Sequence, residues 1–445
     1  MMNSQDLVRM SRAEVGGSVE LLNHDSVVPC RRRLRVFVLD EGLPYPLDSG
    51  KRIRTWHLLS RLAPRHDLTL FCFDEGDPDA LRFVEKEGIR VFFAPAAGKT
   101  TRVLLYAQLL ANLFSAYPFT VSKHYSRTFH QQILARINSE SPDLVHVEWT
   151  PYARYLSGIP TGKTVISTHN IEAQIWFRRA RRSSTLLEKA FFSLQAVKMR
   201  AFEKRRLSRA DEVTAVTIED LQWLKKAGIS KTSLVENGVD TEYFQPTSDS
   251  EVQREILFLA SLDWYPNQDA LRFFLEEIMP RVRTKLPNVQ LTIAGRRPPI
   301  ELVAQIRSLP GASLHSDVPD VRPFLARSSA FVVPLRIGGG SRIKILEALA
   351  AGKAVVSTRI GAEGLQLCSG EHLLLADRPD DFADRVIELL TQPELRQRLG
   401  ANGRRLVSDR YTWNQMADRL EQAWLRAFFA PPPDRRLGIS GELIP

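Results

Sequence analysis

Hydrophobic residues along the chain follow two rhythms. Short apolar runs rich in β-branched and aromatic residues recur at Leu34–Leu39, Leu68–Phe73, Val91–Phe93, Leu144–Val147 and Val165–Ser167. Between them apolar positions return every three or four residues, as at Ile53, Trp56, Leu59 and Leu62. The first rhythm suits strands of a parallel sheet buried on both faces; the second predicts the helices that cover it, at about 52–62, 128–139 and 185–208. The alternation starts afresh at Ile256–Ala260 and runs through Gln290–Gly295, Ala330–Pro334 and Ala354–Ser357. Helices are expected there at about 267–285, 341–351, 380–392 and 412–428. Strand and helix alternating through two halves predict an α/β protein: two Rossmann-like doubly wound domains facing each other across a cleft.

The polar stretches set the expected boundaries. Residues 1–33 lack periodicity and end in Arg31-Arg32-Arg33, which reads as a loose extension. The first domain is expected over 34–212 and the second over 213–411, with 246–251 as a polar linker. A helix at 412–428 is placed to cross back to the first domain, and 429–445 is a Pro-rich tail.

Composition narrows the function classes. The chain has 445 residues, of which 44% are hydrophobic and 25% charged, the balance of an ordinary globular protein. Its three cysteines form no CxxC pair and its histidines no HExxH spacing, so neither a disulfide framework nor a metal site is expected. A formal charge of +10 favours phosphorylated ligands or an anionic leaflet. There is no run of 18 apolar residues, so no membrane span is expected, and no apolar signal segment; a cytoplasmic place, at most at the inner face of the membrane, follows. Nucleic-acid binding has only net charge in its favour. An NAD oxidoreductase is disfavoured because no GxGxxG follows Leu39.

The segment Val332–Gly352 carries the most chemistry. A strand ends in Gly338-Gly339-Gly340, and a helix is expected to start near Ser341 as its N-cap and stop at Gly352. Consecutive glycines bring free backbone N–H groups close to an anion, the helix start adds partial positive charge, and Arg342 and Lys344 add full charges. Glu347, one turn on, offers two oxygens of the kind that hold ribose hydroxyls. The plainer alternative is a simple turn, with Glu347 pairing with Lys344 or Arg342. This is not a Walker A loop, because GxxxxGK[ST] is missing.

The order of several pieces resembles the group 1 (family 4) glycosyltransferases of the GT-B fold, with bacterial exopolysaccharide-associated sugar transferases as the nearest subgroup. They are Pro44–Arg54, His169-Asn170-Ile171-Glu172, Asn237-Gly238-Val239-Asp240 with Phe244, Leu291–Gly295, the glycine loop, and Ile360-Gly361-Ala362-Glu363-Gly364. The resemblance implies that the second domain holds a nucleoside-diphosphate sugar and the first a glycan or lipid-linked acceptor. It implies transfer that usually retains configuration and needs neither metal nor other cofactor. By position it gives Glu347 the ribose, Gly50 the close approach to diphosphate and sugar, and His169 a place near the reacting sugar. The plainer alternative for His169 is a histidine that closes a strand end. The pattern also departs from the family. Gly339 stands where the first of two glutamates is usual, and the usual phosphate-binding cations fall near Ser261 and Pro266. Arg342 and Lys344 are therefore expected to neutralise the leaving diphosphate. Asp48 and Glu172 lie in suitable loops, but a solvated loop acid suits each better than a catalytic base.

Two other classes stay open on the sequence: a catalytically degenerate GT-B protein that only binds nucleotide sugar or a partner enzyme, and a nucleotide-sugar 2-epimerase. The segment Arg178–Arg209 holds 11 Lys and Arg against Glu188 and Glu203, interleaved with apolar residues. It reads either as a cationic amphipathic helix for peripheral association with an anionic membrane or as a core helix with a solvated basic back. The apolar stretch Val103–Phe114 is a weaker membrane or acceptor candidate, and burial in the core is the expected alternative.

Overall fold

A computed structural model of the chain describes residues 32–94, 102–159, 163–183, 185–247, 254–338 and 342–431. The extension 1–31, most of the expected tail (432–445) and the greater part of the expected linker therefore lie outside the described residues. Two parallel sheets carry the fold. The first has seven strands in the order β3-β2-β1-β4-β5-β6-β7. They are β1 Arg35–Leu39, β2 Asp67–Phe73, β3 Arg90–Ala94, β4 Leu144–Val147, β5 Lys163–Thr168, β6 Glu212–Ala215 and β7 Thr232–Leu234. The second has six strands in the order β10-β9-β8-β11-β12-β13. They are β8 Glu255–Ser261, β9 Gln290–Arg296, β10 Ala312–Ser316, β11 Ala330–Val333, β12 Val355–Ser357 and β13 Leu374–Leu375. β4 and β11, central in their sheets, are buried at every residue, as apolar parallel strands covered on both faces must be.

The expected boundary at 212/213 falls inside the first sheet. β6 pairs in parallel with β5 and β7 with β6, so the first sheet runs on to Leu234. Without them β5 would be left as an unpaired edge. The helix expected over 267–285 is interrupted: Tyr265–Phe273 and Met279–Lys285 flank a wide turn at Phe274–Ile278. Pro280 has no N–H to continue the regular ladder there. The helix Val103–Phe114, expected to be buried, is observed as Arg102–Leu113 with Leu104, Leu110, Leu113 and Phe114 exposed.

The chain passes between the sheets twice, and the two passages are tied together. Val239 N–H donates to Tyr411 C=O at 2.7 Å, and Val239 forms a parallel bridge with Thr412. Thr412 then caps the helix Trp413–Phe429 in a full capping box with Gln415. That helix returns to the first sheet, packing on the helix Gly50–Leu62 and on β5 and β6. Buried Arg54 donates to the carbonyls of Val235 and Glu236 and to Asn237 Oδ1 at 2.7–3.0 Å. Trp413 stacks on His57 with ring centroids 5.0 Å apart. A Cβ on Gly238 would lie 2.8 Å from the Trp413 ring and 3.0 Å from its Cα, so only glycine fits beneath the indole. Gly238→Ala is expected to destabilise the protein by about 1–3 kcal/mol through overpacking. Urea unfolding midpoints check this, and an unchanged midpoint would show that the passage is loosely packed.

Candidate functional site

Each strand order reverses beside its first strand, between β1 and β4 and between β8 and β11, and ligands bind doubly wound sheets at the carboxyl ends of strands flanking such a point. The residues following these strands are Asp40 and Glu41, Glu148 and Trp149, Leu262 and Asp263, and the loop from Pro334 to Gly338.

Two helices begin in this crevice and point their starts at each other. Ser49 caps the first, Gly50–Leu62, by accepting from Arg52 N–H at 3.4 Å. The second, Ile343–Ala350, follows the glycine loop. A Cβ on Gly50 would sit 3.5 Å from Ile343 Cδ1, so the two helix starts are in contact range across the crevice. Unpaired N–H groups and partial positive charge thus converge from both sheets.

The glycine loop differs in detail from the expectation. The N-cap of the second helix is Arg342, extended at φ −98° and ψ 96°, and its side chain does not cap. Ser341, expected as that N-cap, lies with Gly339 and Gly340 outside the described residues. Gly338 is described, at φ +145°, and a Cβ there would run into the Arg342 guanidinium. Glycine is thus favoured there by the backbone, while the guanidinium, the far end of a flexible side chain, is the group that a Cβ would displace.

The charged groups sit in deep surroundings. Arg342 is 6% exposed, and burial lowers it to about 10. Lys344 Nζ donates to Leu259 C=O at 3.1 Å and to Asn267 Oδ1 at 3.3 Å. Burial, helped by the charge of Arg342, pulls Lys344 down to about 7. Burial pushes Glu347 up to about 7 despite Lys344. Lys344 and Glu347 keep an opening to solvent but are enclosed by protein on most sides. Burial thus works against the charged form of each, and a nearby anion or hydroxyl shifts that balance.

His169 follows β5 and donates through Nε2–H to Glu148 Oε2 at 3.0 Å. Glu148 is fully buried, with its other oxygen 3.6 Å from His146 Nε2. Burial works to raise the Glu148 carboxyl, but the two imidazoles outweigh it and hold it well below the usual range. The loop behind His169 is fixed by buried Glu203, which accepts from the N–H groups of Glu172 at 2.7 Å and Ala173 at 3.4 Å. Burial and the Glu172 charge push Glu203 to about 8. Glu172 is itself buried and accepts from Trp149 Nε1–H at 2.9 Å, so it is not a solvated loop acid. Asp48 pairs with Arg52 and with Arg296. Arg296 stands in register beside Ser261, one of the positions where a cation was missing.

The basic segment divides into two helices, Glu172–Arg182 and Leu186–Leu207. Its first arginines turn to the glycine loop. Arg178 donates to Gly338 C=O and forks onto both oxygens of Glu363 at 3.1–3.2 Å, and Arg182 donates to Arg336 C=O at 2.8 Å. Neither reading of the segment expected this clamp.

The model described as Glycosyltransferase Family 4 matches residues 49–243, and the one described as Glycosyl transferases group 1 matches residues 253–392. The chain belongs to the group 1 glycosyltransferases. An uncharacterized glycosyltransferase of Methanocaldococcus jannaschii is 34% identical over 98 residues, 22% of this chain and 27% of the relative. A GDP-mannose-dependent phosphatidylinositol monomannoside mannosyltransferase of Mycolicibacterium smegmatis is 27% identical over 209 residues, 42% of this chain and 54% of the relative. The chain spans less than two thirds of the length of these curated relatives. The crystal structure of Anabaena HepE in complex with UDP and glucose shares the fold at TM-score 0.63 and 13% identity, covering 88% of this chain and 99% of that one. Like it, this group 1 glycosyltransferase has the two-sheet GT-B architecture.

Three of the site's residues escaped the sequence reading. His146 and Glu148 alternate on and just past β4, so both project to one face of an otherwise apolar strand; two polar residues spaced by two are a readable signal. Arg178 was lost among its basic neighbours. Glu347 yields a pH test. Its folded pKa is raised from about 4.5 to about 7, so wild type loses stability as pH rises through that window. Glu347→Gln is expected to match wild type in melting temperature near pH 5 and to exceed it at pH 8. Equal melting temperatures at both pH values would show that Glu347 is not desolvated.

Proposed function

We propose that the protein transfers a sugar from a nucleoside-diphosphate sugar to a hydroxyl of a glycan or lipid-linked acceptor, with retention, in polysaccharide or glycoconjugate synthesis. The contact of the two helix starts at Gly50 and Ile343 carries this reading. It gathers backbone donors, Arg342 and Lys344 at one point of the crevice, which suits a diphosphate gaining charge as its bond to the sugar breaks. The reading assigns that neutralisation to Arg342 and Lys344 rather than to a metal ion, and the ribose to Glu347. Gly50 and the glycines 338–340 allow the backbone to approach, and His169 borders the sugar. The bond from the sugar carbon to the diphosphate oxygen breaks as the acceptor oxygen bonds from the same face, and the hydroxyl proton goes to the diphosphate. A GDP-mannose-dependent relative and a UDP-binding structure of the same fold speak for this donor class. Calorimetric titration with UDP and with GDP tests it. One of the two is expected to bind, and Arg342→Ala with Lys344→Ala to weaken it at least tenfold. Unchanged affinity in the double variant would contradict the assignment, and binding without turnover of the matching sugar nucleotide would favour a binding-only protein.

The acceptor side of the reading places the protein at an anionic membrane face. None of the described helices is long and apolar enough to cross a membrane. However, Phe114 is 94% exposed and Leu186 and Leu187 are each 85% exposed. The two helices that bear them are joined: Gln195 donates to Asn112 Oδ1 at 3.0 Å, and Lys198 Nζ to Asn112 C=O at 2.7 Å. Leu110, Leu194 and Val197 extend the apolar surface, and exposed Lys189, Arg200, Lys204 and Arg205 flank it. Vesicle flotation is expected to carry the protein with phosphatidylglycerol-containing vesicles and less with phosphatidylcholine alone. Substituting Leu110, Phe114 and Leu187 by Ser should abolish flotation; no flotation with either vesicle would remove the membrane from the reading.

A further inference from the structure

The environment of Glu148 goes beyond closing a strand end. Its carboxylate is fully buried, and three bases face it: His146 from its own strand side, His169 from the end of β5 and Arg54 from the helix Gly50–Leu62. The hydrogens in this chain of contacts follow from elementary donor rules. The Trp424 indole N–H can only donate, and it points at His146 Nδ1 at 3.1 Å. His146 Nδ1 is thus an acceptor, and its hydrogen is on Nε2. That nitrogen faces Ser167 Oγ at 3.4 Å and Glu148 Oε1 at 3.6 Å. The carboxylate of Glu148 can only accept, so His169 Nε2, 3.0 Å from Oε2, carries hydrogen as well. His169 Nδ1 makes no hydrogen bond among the described residues and is the ring nitrogen left for a ligand.

We propose that Glu148 is a positioning residue for His169, fixing the ring with hydrogen on Nε2 and turning Nδ1 into the nitrogen that meets a sugar hydroxyl. The role within transfer rests on the transferase reading above; the ring chemistry does not. A buried carboxylate held against one edge of an imidazole orients it and stabilises the charge it gains on taking up a proton at the other nitrogen. The returning helix contributes through Trp424, which holds His146 and so keeps Glu148 turned toward His169.

The test is nuclear magnetic resonance of ring-15N-histidine protein, with His169 assigned by its loss in His169→Asn. Wild type is expected to show a downfield His169 ring proton on Nε2, protected from exchange. In Glu148→Gln, the pH at which the ring takes up its second proton should fall by about one unit or more, the usual effect of removing an opposite charge at this range. Glu148→Asp, which keeps the charge, should stay closer to wild type. A wild-type ring hydrogen on Nδ1, or the same titration in wild type and Glu148→Gln, would overturn the proposal. The wild-type spectrum decides the first point even if a variant does not fold. With a donor in hand, Glu148→Gln should lower kcat at least tenfold and leave the donor KM unchanged. Failure of every sugar nucleotide to turn over would count against the transferase reading and leave the ring measurement standing.

Discussion

The constraint on which the rest depends is the burial of positive charge where two helices begin. Arg342 and Lys344 are held in surroundings that disfavour their charged forms, and the starts of the Gly50 and Ile343 helices add partial charge of the same sign. Glu363 acts on Arg342 and Glu347 on Lys344, yet burial still outweighs them, so an anion brought to this point favours both charged forms. Gly338 lets the loop close over Arg342, and Arg178 reaches across the crevice to bind the Gly338 carbonyl and Glu363. The crevice is thus drawn together at the point where the positive groups collect.

A cleft between two sheets needs a fixed hinge side if its open side is to be shaped. Here the chain's two passages serve that end. Val239 and Thr412 pair, Arg54 draws the first passage onto the helix Gly50–Leu62, and Trp413 fills the space above Gly238. The helix that follows continues onto the first sheet, where Trp424 donates to His146 Nδ1. One element therefore both closes the hinge and reaches the polar cluster behind His169.

Much of this was legible in the sequence, and the exceptions have physical causes. The strands were readable because buried parallel strands are unbroken apolar runs. The turn at Gly338 and the helix Ile343–Ala350 after it were readable because glycines between an apolar strand and an apolar-periodic segment are strong turn chemistry. The helix Pro393–Arg410 left no clear signal: Gly400 and Gly403 interrupt its propensity, yet Gly400 is needed because a side chain there would strike the backbone of Gly352. Packing, not propensity, forms that helix. The end of the first sheet was misplaced because β6 and β7 are short and follow a long helix, so nothing local says which sheet they join. The exposure of Leu110 and Phe114 went against the favoured reading for the opposite reason, since an apolar helix normally implies a core. Glu148 and Arg178 act through partners 21 and 160 residues away, a kind of information that spacing does not carry.

The most direct measurement is a crystal structure with a nucleoside diphosphate bound, UDP or GDP according to which one binds. The account predicts the diphosphate at the start of the Ile343–Ala350 helix, within reach of Arg342 and Lys344 and facing Gly50, with the ribose hydroxyls on the Glu347 carboxylate. A nucleotide bound elsewhere in the molecule, or one in the crevice with Glu347 turned away from the ribose, would contradict it.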